Sequence, residues 1–312
     1  MLFGAVASQF HSNIRECFPD MEIVHASRRD ASSLDYSEIT CVLGWRFPAG
    51  IFGKMPNLRW IQSVSVGVED WVFDPTIRPG VLISNAKGVY ADPVAEYVIW
   101  SLLTLSRRFH TNIRNQARRR WIQTSGDGLR NKVLGIAGLG SIGKAIAFRA
   151  RAFDMRIVGI VRDPSHPNLP SHVDEIIPFS NMESVLNDLD ALVLCLPLTD
   201  QTRDTMSRQA IDKMKRGAII VNVAREGIVD YSGLCDALKD GRLGGAALDV
   251  FEKEPLKPWS RLWKLDNLLI TPHISAFTKD YKMRVADLIC DNIHRFASEQ
   301  TLRGMVDRTT GY

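Results

Sequence analysis

The chain's 312 residues, 45% hydrophobic and 24% charged, hold enough apolar material for one large domain or two, and exclude both a disordered chain and a disulfide mini-scaffold. Lys and Arg number 39 against 35 Asp and Glu, and a formal charge of +4 over this length gives no reason to expect a nucleic-acid partner. No apolar run reaches the roughly 18 residues of a membrane helix. Met1 to Phe10 lacks the basic start of a secretion signal, so a cytoplasmic protein without a membrane partner is expected. Cys17, Cys41, Cys195, Cys235 and Cys290 are odd in number and form no C-x-x-C pair, which predicts reduced, mostly buried thiols and no metal site.

In chain order, apolar runs of strand length alternate with segments of helix length, the pattern of βαβ units around parallel sheets. Leu2–Ala7, Met21–His25, Thr40–Leu43, Leu58–Gln62 and Val81–Ser84 read as strands of a first unit of about 90 residues. A long helix is expected from Ala91-Asp92-Pro93, with Asp92 as N-cap, to Leu105. The stretch from Arg107 to Arg130 carries seven arginines and reads as a solvated helix face. Beyond Lys132, Val133–Ala137, Arg156–Val161, Ala191–Leu196, Ala218–Val223, Gly245–Val250 and Leu268–Thr271 read as strands of a doubly wound sheet, followed by a last helix near Asp280–Ser298.

Gly138-Leu139-Gly140-Ser141-Ile142-Gly143 is a G-x-G-x-x-G set between the strand Val133–Ala137 and a helix expected over Lys144–Phe153. In that context the glycines let the backbone approach a pyrophosphate, and the amides of Ser141 and Ile142 together with the helix dipole favour an anion. The next strand ends at Val161, where a carboxylate would accept the ribose hydroxyls of NAD. Arg162 follows instead, and a guanidinium suits the 2′-phosphate of NADP(H). Asp163 keeps NAD(H) open as the alternative.

Ligands of open parallel sheets bind beyond the carboxyl ends of the strands. There stand Arg225 after Ile219–Ala224, Glu254 after Ala246–Val250, and His273 after Leu269–Pro272. Reduction of a 2-oxo acid needs a cation to hold and polarise the substrate and an acid to protonate its oxygen. Arg225 and His273 meet these needs, and a carboxylate hydrogen-bonded to an imidazole favours its charged form.

The segments Gly138–Gly143, Val221–Asp230, Ala247–Leu256 and Thr271–Ser275 resemble signatures of the D-isomer-specific 2-hydroxyacid dehydrogenases, and the likeness extends over essentially the whole chain. The resemblance implies catalysis by Arg225, Glu254 and His273, and places Leu196, Pro197, Thr202, Ala224, Asp249 and Ser275 along the cofactor. It implies that Val66 and Gly67, in Ser65-Val66-Gly67-Val68-Glu69, offer backbone amides to the substrate carboxylate. It also implies two flavodoxin- or Rossmann-like domains, each a doubly wound parallel sheet, with a cleft between them. Residues 1–97, completed by 278–312, would bind substrate, and 98–277 the dinucleotide. A homodimer is implied too, pairing near the Arg107–Arg120 run. Gly44-Trp45-Arg46 and Pro56–Trp60 resemble the glyoxylate/hydroxypyruvate reductase branch, which implies a small 2-oxo or 2-hydroxy acid substrate. Formate dehydrogenases of the same superfamily pair Gln with the His, so Glu254 argues against that chemistry. A dinucleotide sensor or corepressor-like protein is the competing class.

Overall fold

The alternation of apolar and amphipathic segments becomes two parallel sheets in the computed structural model, which describes residues 1–29, 33–165 and 170–312. The chain divides into Met1–Tyr90 with Thr278–Tyr312, and Ala91–Phe277.

The first unit contains β1 (Leu2–Phe3), α1 (Gly4–Ser8), α2 (His11–Cys17), β2 (His25–Ala26), β3 (Cys41–Gly44), β4 (Trp60–Ser63) and β5 (Leu82–Ser84), with the C-terminal helix Tyr281–Ala297. The five strands run parallel in the order β2-β1-β3-β4-β5, the order of flavodoxin-like sheets. Two of the expected strands are cut back most. The strand expected over Leu2–Ala7 stops at Phe3 because Gly4, at φ 81°, turns the chain into α1, and the one expected over Met21–His25 is confined to His25–Ala26.

A buried polar network holds the C-terminal helix to this sheet. Asn292 Nδ2 donates to Gln62 Oε1 at 2.8 Å and to the Arg303 carbonyl at 3.0 Å, while the Arg303 amide donates to Asn292 Oδ1 at 2.8 Å. Ser84 Oγ donates to the same Gln62 oxygen at 2.7 Å and accepts from Trp60 Nε1 at 2.8 Å. Gln62, Ser84 and Asn292 are buried, so each bond meets a polar group that would otherwise be unsatisfied in the interior.

The second unit contains α3 (Ala91–Ser106), α4 (Phe109–Ala117), β6 (Val133–Ala137), α5 (Ser141–Arg151), β7 (Arg156–Val161), β8 (Glu175–Pro178), β9 (Ala191–Leu194), α6 (Arg208–Lys213), β10 (Ile219–Asn222), α7 (Tyr231–Lys239), β11 (Gly245–Leu248) and β12 (Leu268–Ile270). The C-terminal helix of the first unit is therefore α8. The strands are parallel in the order β12-β11-β10-β9-β6-β7-β8, and the winding reverses between β6 and β9. Side chains alternate between two cores: Leu192 and Leu194 of β9 face one, with Ile220 and Leu248, while Ala191 and Val193 face the other, with Val221 and Ala247. The edge strand β8 has no counterpart among the expected strands. Its four residues are half-buried and end in proline, which only an edge tolerates.

The contact division at Tyr90/Ala91 precedes the 97/98 boundary expected from the sequence. The reason is that α3 packs as a whole, with Ala95, Val98, Ile99 and Leu102 against Ile146, Ala147 and Ala150 of α5. Asp92 lies in the first turn rather than at the N-cap and pairs with Arg149 at 2.8 Å. Among the described residues no helix is long and apolar enough to cross a membrane.

Candidate active site

The three glycines between β6 and α5 have three different reasons to be glycine. Gly138 sits at φ 97°, and a Cβ there would lie 2.7 Å from the Cys195 carbonyl oxygen. A Cβ on Gly143 would fall 1.9 Å from the Gly138 carbonyl oxygen, so the helix and the turn touch backbone to backbone. A Cβ on Gly140 meets nothing within 4 Å. The middle glycine thus faces open space, which leaves room for a ligand to approach the backbone. Gly140 is also the N-cap of α5 and offers no side-chain acceptor, so the first amides of the helix, including those of Ser141 and Ile142, receive no cap and could take an anion. This geometry fits a dinucleotide. Leu139 is buried and packs beside Gly159. Beneath the turn, Cys195 Sγ donates to the Gly138 carbonyl at 2.9 Å, and burial pushes this thiol up to about 12.

β7 ends at Val161, with Arg162 and Asp163 exposed beyond it. The Asp163 carboxylate accepts from the Ser165 amide at 2.9 Å and the Ser165 hydroxyl at 2.6 Å, closing a local turn. On the other side of β6, Thr202 is largely buried, and its hydroxyl donates to the Pro197 carbonyl at 2.6 Å and accepts from the Thr199 amide at 2.8 Å. Thr202 therefore shapes the loop that carries Leu196 and Pro197.

Arg225, Glu254 and His273 come after β10, β11 and β12, three neighbouring strands of one parallel sheet, so all three leave the same edge. The Arg225 turn is held by buried Asn222, whose amide nitrogen donates to the Arg225 carbonyl at 3.0 Å and whose oxygen accepts from the Ala224 amide at 3.0 Å. The Arg225 guanidinium donates to the Ala224 carbonyl at 2.7 Å. His273 Nδ1 lies 3.0 and 3.2 Å from the two Glu254 oxygens. A carboxylate only accepts, so Nδ1 donates and Nε2 is the ring nitrogen left for a reactant. Glu254 is itself anchored by the Phe251 amide at 3.1 Å.

His273 has φ 56°, a left-handed conformation uncommon for a residue with a Cβ, and its amide closes a three-residue turn onto the Thr271 carbonyl at 3.0 Å. What holds it there is Asp249, 1% exposed. One Asp249 oxygen accepts from the Thr271 hydroxyl at 2.6 Å and the Ile274 amide at 2.9 Å, and the other from the Ser275 amide at 2.8 Å. Because the Thr271 hydroxyl donates to Asp249, it accepts from Tyr97 Oη at 2.8 Å. Burial pushes the Tyr97 phenol up to about 12, with the Asp249 charge adding to it, so the phenol keeps the proton it donates. Sequence reasoning misses Asn222, Tyr97 and Thr271. Asn222 carries a signal, a polar residue ending a buried strand, whereas Tyr97 lies 174 positions from its partner.

In the first unit, Ser65-Val66-Gly67 comes just after β4. Its shape is fixed by Ser65 Oγ donating to the Gly67 carbonyl at 2.8 Å and Asn85 Nδ2 donating to the Val66 carbonyl at 2.7 Å. The Val66 and Gly67 amides donate to no group among the described residues. The arginine run extends from the end of α3 through α4 to the segment before β6, with Arg114 paired to Asp266 and Arg130 to Asp154. Cys235 is buried as expected, but Cys17 is exposed, because it ends α2 on the surface.

A doubly wound sheet with this glycine turn and three polar strand ends defines a dinucleotide-dependent enzyme of the α/β class. The NAD-binding-domain model of the D-isomer specific 2-hydroxyacid dehydrogenases matches residues 99–275. A glyoxylate reductase of Thermofilum pendens is 32% identical over 83% of this chain and 78% of its own. The solved structure of a D-isomer specific 2-hydroxyacid dehydrogenase from Xanthobacter autotrophicus, in complex with NADPH and MES, superposes with a TM-score of 0.88 at 28% identity, covering 99% of this chain and 98% of that one. An NADPH-dependent glyoxylate/hydroxypyruvate reductase from Sinorhizobium meliloti gives 0.86 at 25% identity over 99% and 98%. The chain belongs to the D-isomer specific 2-hydroxyacid dehydrogenase family. The glyoxylate reductases among its relatives agree with the branch to which Gly44–Arg46 and Pro56–Trp60 pointed.

Proposed function

We propose that the protein is an NADP(H)-dependent reductase of small 2-oxo acids such as glyoxylate and hydroxypyruvate, with His273 as the general acid and, in reverse, the general base. The observation that carries this reading is the His273–Glu254 pair at 3.0 Å, fixed on the same sheet edge as Arg225. Arg225 binds the substrate and draws electron density toward its carbonyl oxygen, and His273 Nε2 delivers the proton that oxygen needs. Glu254 orients the imidazole and balances its charge. A bound nicotinamide supplies the hydride; Gly138 to Gly143 would hold its pyrophosphate. Initial rates with NADPH and NADH against glyoxylate, hydroxypyruvate, pyruvate and phenylpyruvate test the proposal. Glyoxylate and hydroxypyruvate should be turned over fastest, with NADPH. Tight cofactor binding without turnover of any of these acids would favour the sensor class instead.

The preference for NADP(H) rests on Arg162 immediately after β7, and on Asp163 being occupied by its own turn. Arg162→Ala is expected to raise the KM for NADPH about tenfold or more while leaving that for NADH within about twofold, since a charge-assisted contact is worth about 1.5–3 kcal/mol. An unchanged ratio of the two would remove the assignment.

The same reading includes a homodimer formed through the second unit. Its support is the exposure of Trp100, Phe109, Ile113 and Trp121 at 47%, 47%, 61% and 96%, aromatic and aliphatic surface that a monomer would leave in water. Sedimentation equilibrium should return twice the chain mass; a single-chain mass at micromolar concentration would exclude the dimer.

A further inference from the structure

Two of the five cysteines face one another across the helix pair that joins the two ends of the chain. α2 packs on α8 through Ile14 against Val285, Ala286 and Ile289. Cys17 is one turn beyond Asn13 on α2, and Cys290 is next to Ile289 on α8, so both lie at the rim of that contact. Cys290 Sγ points at the Asn13 carbonyl, 3.8 Å away, which is the carbonyl beside Cys17 on the same helical face. The two thiols are close enough for each to feel the other's charge. Cys17 is exposed and Cys290 half-buried, so the first is the more open to solvent.

We propose that Cys17 and Cys290 form an oxidative modification site that takes hydroperoxides and closes reversibly into an intramolecular disulfide. The Cys17 thiolate attacks a peroxide oxygen, the O–O bond breaks, and Cys17 becomes a sulfenic acid as hydroxide, or an alkoxide, leaves and is protonated. Cys290 then attacks the Cys17 sulfur, the S–S bond forms, the S–O bond breaks, and water leaves with the proton of the Cys290 thiol. Two electrons pass from the two thiols to the peroxide. Burial pushes the Cys290 thiol up to about 12, with neighbouring Cys17, Asp287 and Glu16 adding to the effect. Cys17, the more exposed of the two, meets the oxidant, and Cys290 is the resolving partner. Closure ties the N-terminal segment Met1–Tyr90 covalently to Thr278–Tyr312, the two separate stretches that make up the first unit.

The test is peroxide treatment of the purified protein, then digestion without reductant and mass spectrometry. The expected product joins the Cys17 and Cys290 peptides with the loss of two hydrogens, and thiol titration of the denatured chain falls from five to three. A thiol reductant restores all five. The oxidised protein should melt roughly 5 °C or more higher, because a cross-link spanning so long a segment restricts the unfolded chain strongly. That shift should be absent from Cys17→Ser and from Cys290→Ser. Oxidation of Cys17 to a sulfinic acid with Cys290 still a thiol, or a cross-link between the Cys17 residues of two molecules, would overturn the proposal. The wild-type mass spectrum decides it even if a variant folds poorly.

Discussion

Replacing His273 by alanine should lower kcat by about 10²- to 10⁴-fold, the range typical of a lost general acid, while the dissociation constant for the dinucleotide stays within about threefold. The expectation rests on the division of labour at the sheet edge. The glycine turn between β6 and α5 makes the contacts a cofactor would need, and His273 belongs to a different strand end. Its Nδ1 is occupied by Glu254 at 3.0 Å, so Nε2 is the only ring nitrogen that can serve the reactant. Glu254→Gln keeps the shape and a hydrogen-bonding group but removes the charge opposite the imidazole. Its kcat should therefore fall less than that of His273→Ala, with a change in the pH profile. Steady-state rates paired with dinucleotide fluorescence titration separate the two effects. Activity in His273→Ala within tenfold of wild type would refute the assignment of the proton donor.

The second large effect belongs to a residue that touches no substrate. Gly143→Ala places a methyl group 1.9 Å from the Gly138 carbonyl oxygen and 3.0 Å from its carbon, and both are backbone atoms that cannot rotate away. The turn or the helix must shift, at a cost of about 1–3 kcal/mol or more. The variant should lose several degrees of Tm and bind NADPH at least tenfold more weakly. Gly140→Ala is the informative contrast. Its Cβ meets no protein atom within 4 Å, so the fold should keep its Tm, while the methyl group would stand in the path we assign to the pyrophosphate and should weaken NADPH binding alone. Differential scanning fluorimetry with and without NADPH distinguishes the variants. Equal binding by Gly140→Ala and wild type would mean that the cofactor does not pass over this glycine.

Much of this architecture is legible in the amino-acid sequence because it rests on local rules. The glycine turn announces itself by spacing and by the strand that leads into it, and Arg225, Glu254 and His273 each stand a few residues beyond an apolar run. The supports that hold them are not legible in the same way. The φ of 56° at His273 and the bonds from Ile274 and Ser275 to Asp249 are set by a carboxylate some 25 positions earlier in the chain. The Tyr97 hydroxyl reaches Thr271 only after the sheet is assembled. The first strands mislead for a simpler reason: Leu2–Ala7 is apolar throughout, and hydrophobicity alone does not register that Gly4 takes a left-handed turn. Gln62 and Asn292 read as ordinary polar residues, although they meet in the interior 230 positions apart.

That meeting fixes an order of events during synthesis. The second unit is continuous from Ala91 to Phe277, so all of its residues have emerged before those of Thr278–Tyr312. The first unit lacks α8, and with it the Asn292 partner of Gln62, until the last stretch of chain from Thr278 is made. At about 5–20 residues per second, the ribosome spends roughly 10–40 s on the intervening segment. Throughout that interval the face of the sheet carrying Leu2 and Leu43 awaits its closing helix, so the unit begun before the second one is completed after it.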